Sequence, residues 1–309
     1  MQTNANPVKP RKPVIALLMS LVLPGFGQLY NGDVNRAIWL FLCFAFLSVP
    51  GIALVALYVP SGWMLPTLAL SLTLTLAVWF YGMFDAWRSA RHLADFVARD
   101  WQTSGMYMLI LLVCNGLALP ALIGSVRTHQ VESFRVPSAS MNPGIVSGDV
   151  IFADKRYNCP GCKQGVKRGD IAIFASPNDR SQYFIKRIIG LPGDHIQIKN
   201  QQVWVNGSAL SSVQNNPADG TPVTESIDGQ QWQVEWKASE QSNNKPSQDI
   251  GATVPAGQVF MLGDKRNASM DSRLFGTVSL QDVLGKARQI WFSSGPDGVR
   301  WDRLGMVLH

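Results

Sequence analysis

Charged residues are scarce in this chain of 309 residues, because Asp, Glu, Lys and Arg together make up only 16% of the sequence. Soluble proteins average about 25%, so part of the chain is predicted to lie outside water. Residues 37–84 and 101–126 contain no Asp, Glu, Lys, Arg or His. A membrane-spanning helix needs about 20 apolar residues. The two runs therefore predict three spans, at residues 36–58, 62–84 and 105–126.

A further uncharged run, residues 13–32, is interrupted by Leu23-Pro24-Gly25-Phe26-Gly27. Proline and glycine there favour a broken or re-entrant helix, and a fourth full span is the alternative. The tail (residues 1–12) and the linker (residues 85–104) carry the basic residues that flank these runs. Basic flanks favour the cytoplasmic side, so three spans would place the tail in the cytoplasm and residues 127–309 in an extracytoplasmic domain.

No run of basic residues is longer than Lys9-Pro10-Arg11-Lys12, although the formal net charge is +6. The positive charge is therefore interpreted as a determinant of membrane topology and as a contact with anionic lipids. A phospholipid bilayer is the expected partner, and nucleic-acid binding is not predicted.

Cysteine is also rare, with four in the chain, and Cys43 and Cys114 lie in the apolar runs as small hydrophobic residues. Cys159 and Cys162 form Cys-Pro-Gly-Cys, which is compatible with a disulfide, a redox pair or half of a zinc site. A zinc site needs about four ligands, and the part of the chain after residue 126 has no other cysteine and few histidines. No metal is predicted. A structural disulfide is favoured, with two free thiols as the alternative.

Beyond residue 130 the pattern changes to short apolar or alternating runs, which are typical of strands. Turn signals rich in Gly, Asp and Asn separate them, and no run has the length of an ordinary helix. Residues 127–309 are therefore predicted to be all-β. Residues 208–250 are rich in Ser, Asn, Gln and Asp and predict a polar insertion with one hairpin around residues 232–236. Strands are predicted at residues 150–153, 171–174, 184–189, 202–205, 231–236, 258–262 and 286–292.

Histidine, the usual base for a nucleophilic serine, is poorly represented in this β region. His195 directly follows Asp194, but successive strand residues face opposite ways, and His129 lies at the predicted membrane boundary. A triad built on histidine therefore stays an alternative that only the three-dimensional fold could assemble.

Lysine is the other candidate base, and Lys186 lies in the apolar run Phe184-Ile185-Lys186-Arg187-Ile188-Ile189. Burial there would disfavour its charged form and lower its pKa. Taken alone, however, Lys186 would be interpreted as a solvent-facing strand residue. Ser138 and Ser140 would likewise be interpreted as turn residues beside prolines.

Four segments change that interpretation, because they occur in one order after the last uncharged run. They are residues 137–143 (PSASMNP), 168–174 (RGDIAIF), 183–194 (YFIKRIIGLPGD) and 263–273 (GDKRNASMDSR). Together they closely resemble the successive signature boxes of bacterial type I signal peptidases (leader peptidases), a family that uses a Ser-Lys dyad. The resemblance begins near Phe134, includes Trp291 and the tail at residues 300–303, and leaves out residues 208–250.

The resemblance implies a role for each matching residue. Ser140 is the nucleophile and Lys186, in its neutral form, is the general base. The hydroxyl of Ser138 and the backbone N–H of Ser140 form the oxyanion site, and Ser269 orients the lysine amine. Structural ion pairs are implied for Asp264 with Arg187 and for Asp271 with Arg273. The pocket for small substrate residues is implied to include Phe134, Val136, Met141, Ile145 and Phe184.

The implied fold is a set of N-terminal transmembrane helices followed by a catalytic domain of antiparallel, barrel-like sheets. The implied activity is that of a serine endopeptidase, without cofactor, in the bacterial inner membrane with its catalytic domain on the periplasmic face. It would remove signal peptides from exported preproteins after small residues of the Ala-x-Ala type. Signal peptides of preproteins and the protein-export machinery are the implied partners.

Two departures from the family pattern are present. Lys265, Asn267 and Ala268 stand where the family commonly has Asn, Asp and Asn, and Phe184 replaces a common tyrosine. Two alternative functions stay open. One is a specialised peptidase that matures a single conjugation or pilus protein, and the other is a membrane assembly factor that has lost catalysis. Soluble autoprocessing repressors with a Ser-Lys pair are excluded by the predicted spans.

Overall fold

The structure, a computed structural model, describes residues 10–59, 61–158, 165–199, 201–210, 222–236 and 250–308. The chain divides into two compact units, Met1–Thr128 and His129–His309. Cys159 and Cys162 lie outside the described residues, so the disulfide stays a prediction.

The first unit is helical, and three of its described helical stretches are long and apolar enough to cross a membrane: Val34–Tyr58, Leu65–Arg91 and Ser104–His129. Their positions differ by only a few residues from the three predicted spans. The helices of this unit are α1 (Pro13–Val22), α2 (Phe26–Tyr30), α3 (Val34–Ser48), α4 (Pro50–Tyr58), α5 (Ser61–Arg91), α6 (Ser104–Leu111), a π-helical stretch (Leu112–Ala118) and α7 (Leu119–His129).

The segment predicted to be a broken or re-entrant helix forms two short helices, α1 and α2. Helix α1 has 10 residues, which corresponds to about 15 Å and is half the thickness of a bilayer core. The chain reverses at Gly25, whose φ of +89° favours glycine. A Cβ added at Gly27 would lie 2.1 Å from the carbonyl oxygen of Ala16. Glycine at that position therefore allows the two helices to pack closely.

Side-chain hydrogen bonds connect α2 to α5. Gln28 Nε2 donates to the Gly82 carbonyl oxygen at 2.8 Å and to Asp85 Oδ2 at 3.0 Å. Asn31 Nδ2 donates to the Ala86 carbonyl oxygen at 2.8 Å. Polar groups that are buried between helices are costly unless they are paired, so these bonds stabilise the packing of the broken helix on α5.

The second unit is antiparallel β-structure in its described residues, with only short helical turns, and this confirms the predicted fold class. Its largest sheet has the order β1-β2-β13-β3-β4-β11-β12, with β14 beside β13. A second sheet has the order β10-β5-β6-β7, and β8 pairs with β9. The strands are β1 (Val131–Arg135), β2 (Asp149–Asp154), β3 (Ile171–Ala175), β4 (Tyr183–Gly190), β5 (His195–Lys199), β6 (Gln202–Val205), β7 (Ser208–Ala209), β8 (Pro222–Ile227), β9 (Gln230–Glu235), β10 (Ile250–Thr253), β11 (Gln258–Leu262), β12 (Val278–Ser279), β13 (Val283–Gly295) and β14 (Gly298–Val299).

Strand β4 lies inside the large sheet, between β3 and β11. Lys186 pairs with Ala172 of β3, and Arg187 pairs with Ile171 of β3 and Leu262 of β11. Strands that are covered on both faces are expected to be almost continuously apolar. Two consecutive basic residues in such a strand therefore need specific partners on both faces.

The hairpin predicted within residues 208–250 is present as β8–β9, but one of its faces is apolar. Its turn, at Asp228 and Gly229, has positive φ at both residues, as expected for a tight hairpin. One face of the hairpin is buried in a hydrophobic cluster with strands of the second sheet. The many Ser, Asn and Gln residues around it concealed this apolar face, which consists of Val223, Trp232, Val234 and Trp236.

Candidate active site

Ser140 lies in the loop that connects β1 to β2. The next residue, Met141, is almost fully buried and anchors the loop in the core. The backbone N–H of Ile145 donates to the Met141 carbonyl oxygen at 3.0 Å. The backbone N–H of Lys265 donates to the carbonyl oxygen of Ser140 at 3.0 Å. The nucleophile loop is therefore fixed on both sides of the serine.

Lys186 projects from β4 so that its Nζ lies 2.8 Å from Ser140 Oγ. The Lys186 side chain is 5% exposed, and its Nζ lies 5.7 Å from the centre of the Phe184 ring. Burial lowers the pKa of Lys186 to about 8, although the carboxylates of Asp271 and Asp264 act in the opposite direction. A substantial fraction of the amine is therefore neutral near physiological pH and can accept a proton.

Ser138 is the third polar group at this position. Its Oγ lies 3.3 Å from Ser140 Oγ, and its side chain is exposed to solvent. A hydroxyl at this distance can donate to the negative charge that develops on a carbonyl oxygen when Ser140 Oγ attacks its carbon. The structure thus brings together the three residues for which chemistry was predicted: Ser138, Ser140 and Lys186.

Ser269 makes no hydrogen bond with Lys186 in the structure, and its role in orienting the lysine amine stays a prediction. Its Oγ is buried beside Asp271 and helps to lower the pKa of that carboxyl group. The hydroxyl packs instead over Gly263, where an added Cβ would lie 2.1 Å from Ser269 Oγ and 2.7 Å from the Ser140 carbonyl oxygen. The space left by the missing Cβ accepts the serine side chain, so Ser269 lies beside the nucleophile loop.

Both predicted ion pairs are present behind the dyad. Arg187 donates from Nε and Nη2 to Asp264 at 2.8 Å and 2.7 Å, and both side chains are buried. Arg273 donates to both oxygens of Asp271 at 2.8 Å. Burial alone would raise the pKa of Asp271, but the hydrogen bond and the charge of Arg273 outweigh it, so this pKa is lowered. The two pairs are therefore charged and hold fixed positions near Lys186.

A cavity of about 440 Å³ opens beside the dyad. Four of the five predicted pocket residues line it: Phe134, Val136, Met141 and Phe184. Ile145 does not line the cavity, because its side chain is fully buried in a hydrophobic cluster with Val136 and Met141, and its place in the substrate pocket stays a prediction. Six further lining residues were not predicted as part of the pocket, because their position depends on how the β1–β2 loop, β3 and β4 pack together. They are Arg135, Pro137, Ile173, Gln182, Tyr183 and Ile185.

The histidine alternative has no support from the structure. His195 is exposed on β5, where Nδ1 lies 3.1 Å from Thr253 Oγ1, and β5 belongs to a different sheet from Lys186. Among the described residues, no group of three or more His, Cys, Asp or Glu side chains is arranged to hold a metal ion.

The chain is similar to several known proteins. The family model described as signal peptidase, peptidase S26, matches residues 107–292. Signal peptidase I of Rickettsia typhi is 32% identical over 211 residues, which cover 59% of this chain and 77% of that protein. Signal peptidase I of Pseudomonas aeruginosa is 32% identical over 190 residues, which cover 54% of this chain and 67% of that protein.

A crystal structure of a signal peptidase I from Enterococcus faecalis is 31% identical and covers 39% of this chain and 95% of its own, with a TM-score of 0.29. The family model covers more than half of the chain, and the family predicted from the four sequence segments is confirmed. The chain belongs to the signal peptidase family, peptidase S26, and is a serine peptidase.

Proposed function

We propose that this peptidase cleaves signal peptides with Ser140 as the nucleophile and Lys186 as the general base. The distance of 2.8 Å between Ser140 Oγ and Lys186 Nζ is the observation that carries the proposal. A neutral amine accepts the hydroxyl proton while Oγ attacks the carbonyl carbon of the scissile bond. The resulting ammonium then returns that proton to the leaving amine of the mature protein. Water hydrolyses the acyl-enzyme in the second half of the reaction, with the same amine as base.

The oxyanion of each tetrahedral intermediate is stabilised by the Ser138 hydroxyl and the backbone N–H of Ser140. The 3.3 Å separation of the two serine oxygens supports this assignment. Removal of one such donor typically costs about 3–4 kcal/mol of transition-state stabilisation. Ser138 therefore contributes to the rate without forming a covalent bond to the substrate.

The cavity beside the dyad accepts the substrate residues that precede the cut. Its walls include the apolar residues Phe134, Val136 and Ile185, which favour apolar side chains, and its lining also contains the charged residues Arg135 and Lys186. Small residues at the first and third positions before the scissile bond, as in Ala-x-Ala sites, fit this lining. Branched and aromatic residues at those positions are disfavoured by the rigid strands that form the walls.

The proposed location is the bacterial inner membrane, with several membrane-spanning helices and with the β unit on the periplasmic face. The three long apolar helices and the basic residues before and between them support this arrangement. The bilayer and the protein-export machinery are then the natural partners, because preproteins emerge there with the signal peptide still attached.

Two substitutions test the dyad in the full-length enzyme. Ser140→Ala and Lys186→Ala are each expected to lower the cleavage rate of a preprotein by at least about 10³-fold, since each removes a group that acts as part of one unit. Ser208→Ala and Lys199→Ala, which lie on strands of the other sheet, serve as matched controls with normal activity. Near-normal cleavage by either dyad variant would exclude the proposed mechanism.

The breadth of substrates separates a general signal peptidase from a specialised one. We expect cleavage of several unrelated preproteins that share small residues before the cut. Cleavage of only one pilus or conjugation protein would support the specialised alternative. A complete lack of cleavage by the folded parent protein would support the inactive assembly factor, which the close approach of Lys186 to Ser140 argues against.

A further inference from the structure

The hairpin β8–β9 places a buried carboxylate behind the active-site loop. Glu225 and Arg266 are each 1% exposed. Arg266 Nη1 donates to Glu225 Oε1 at 2.5 Å, and Arg266 Nη2 donates to Glu225 Oε2. Trp232 lies opposite Glu225 across the hairpin and donates from Nε1 to the same carboxylate at 3.1 Å. Side chains of these types are rarely buried so completely unless they are paired, and this pair is bidentate.

Arg266 belongs to the loop that contacts the nucleophile. Its Nε donates to the Gly263 carbonyl oxygen at 3.1 Å. Its own carbonyl oxygen accepts from Arg273 Nη2 at 2.5 Å. The preceding residue, Lys265, donates its backbone N–H to the Ser140 carbonyl oxygen at 3.0 Å. A displacement of Arg266 would therefore reach the backbone of Ser140 through one intervening residue.

The same hairpin also reaches the residue that follows the base. The Trp232 ring lies 4.9 Å from the guanidinium of Arg187, and Arg187 is adjacent to Lys186 in β4. The backbone N–H of Glu235 donates to the carbonyl oxygen of Asp264 at 2.8 Å, and Asp264 is the ion-pair partner of Arg187. The hairpin thus contacts the immediate supports of both members of the dyad.

We propose that Glu225 is a positioning residue for catalysis, which holds the loop of residues 263–266 and thereby the geometry of Ser140 relative to Lys186 through its bidentate pair with Arg266. This inference rests on the proposed function of the dyad. It assigns a catalytic purpose to a segment that lies outside all four sequence motifs. The hairpin then supports the active site, and the polar residues on either side of it have no part in this role.

The test uses the full-length enzyme in detergent micelles and measures kcat, KM and their pH dependence on one preprotein. Glu225→Gln keeps the length of the side chain and removes its charge, whereas Glu225→Asp keeps the charge and shortens the reach. Both are expected to lower kcat by about 10- to 100-fold, the scale of a displacement near 1 Å, with KM changed less than about twofold. Asp228→Asn, at the turn of the same hairpin and in a largely exposed pair with Arg168 at 2.7 Å, is the control and should retain full activity.

The pH profile separates positioning from an electrostatic effect on the base. The charged groups that act on Lys186 are Asp271 and Asp264, which favour its protonated form, and Arg273, which disfavours it. Neither Glu225 nor Arg266 is among them, so both variants should lower kcat and leave the acid limb of kcat/KM in place.

Three results would overturn the inference. The first is parental kcat or a shifted acid limb in both folded variants, and the second is a lower rate that follows only the folded fraction measured by near-ultraviolet circular dichroism. The third is that neither variant folds, since Glu225 would then serve folding alone. A parent enzyme that cleaves nothing would instead contradict the proposed function itself.

Discussion

At the scale of single residues, the chemistry depends on the environment of one amine. Lys186 lies in a strand covered on both faces, and burial lowers its pKa to about 8 in spite of two nearby carboxylates. Its partner serine is held within hydrogen-bond distance by a loop with its own anchors. No other titratable side chain among the described residues occupies this position beside Ser140. The pKa of Lys186 therefore decides when the enzyme is active.

The first prediction at this scale concerns pH. Because the neutral amine is the proposed base, kcat/KM should rise by about tenfold per pH unit on the acid side and level off above about pH 8. Initial rates of preprotein cleavage between pH 5 and about 10 measure this profile. A rise centred near 10, the value of an unburied lysine, would show that burial does not tune this group.

The second prediction concerns stability. A depression of the Lys186 pKa from 10.5 to about 8 corresponds to about 3 kcal/mol of unfavourable free energy for the charged form. The pKa is lower in the folded state, so the parent protein gains stability as pH rises from about 8 to 10.5 and carries the full cost below about 8. Lys186→Met, inactive by design, should therefore unfold at a higher temperature than the parent at pH 7.

The advantage of the methionine variant should shrink as the pH approaches 10. Thermal unfolding of both proteins across this range measures it. If the difference in unfolding temperature between the two proteins were the same at all pH values, packing would explain it, and the titration of Lys186 would not.

At the scale of structural elements, the close approach of three segments forms the site. The loop after β1, the strand β4 and the loop after β11 each supply part of it. Gly263, in the loop after β11, packs against Ser140 and Ser269 so closely that no side chain fits there. The two ion pairs of Arg187 and Arg273 fix the loop after β11.

Gly263→Ala tests this close approach. The new Cβ would collide with the Ser140 carbonyl oxygen and the Ser269 side chain, so the nucleophile loop must move. We expect a loss of at least about 100-fold in kcat, since misplacements near 1 Å have effects of that size. Gly144→Ala is a nearby control, because its new Cβ would have no neighbour closer than 3.9 Å. Parental activity in the Gly263→Ala enzyme would contradict the described packing.

The structural elements also differ in how well the sequence predicted them. Seven of the strands were predicted because their alternating or continuous apolar runs have the period of β-structure, whereas β1, β8 and β10 were not predicted. The Ser140 and Lys186 pair was predictable from the order of the motifs. The role of Ile173 in the pocket and the burial of Ile145 depend on strand register and on loop path, which are non-local. The apolar face of β8–β9 was missed because composition averages the two faces of a hairpin.

At the scale of the whole molecule, the chain combines a helical unit with a β unit. In the helical unit, α1 is too short to cross a bilayer alone, and α2 is packed against α5 by buried amide hydrogen bonds. Only three described helical stretches have the length and hydropathy of full spans. An odd number of crossings places the two ends of the chain in different compartments.

Tags at the two termini test this topology. With three crossings, a tag before residue 1 should resist added protease in intact spheroplasts, because it lies in the cytoplasm. A tag after residue 309 should be removed under the same conditions. Digestion of the N-terminal tag without lysis would require an even number of crossings and would make 13–32 a fourth span. Lysis with detergent before digestion is the control that shows both tags to be cleavable.

The neighbouring positions of Lys186 and Arg187 in β4 have a consequence for errors in folding. Side chains alternate between the faces of a strand, so a slip of β4 by one residue would present the guanidinium to the serine and would force the amine towards Asp264. An arginine does not lose its proton at any physiological pH, and such a chain would have no base. A copy of this protease with β4 mispaired by one residue is therefore expected to have no peptidase activity.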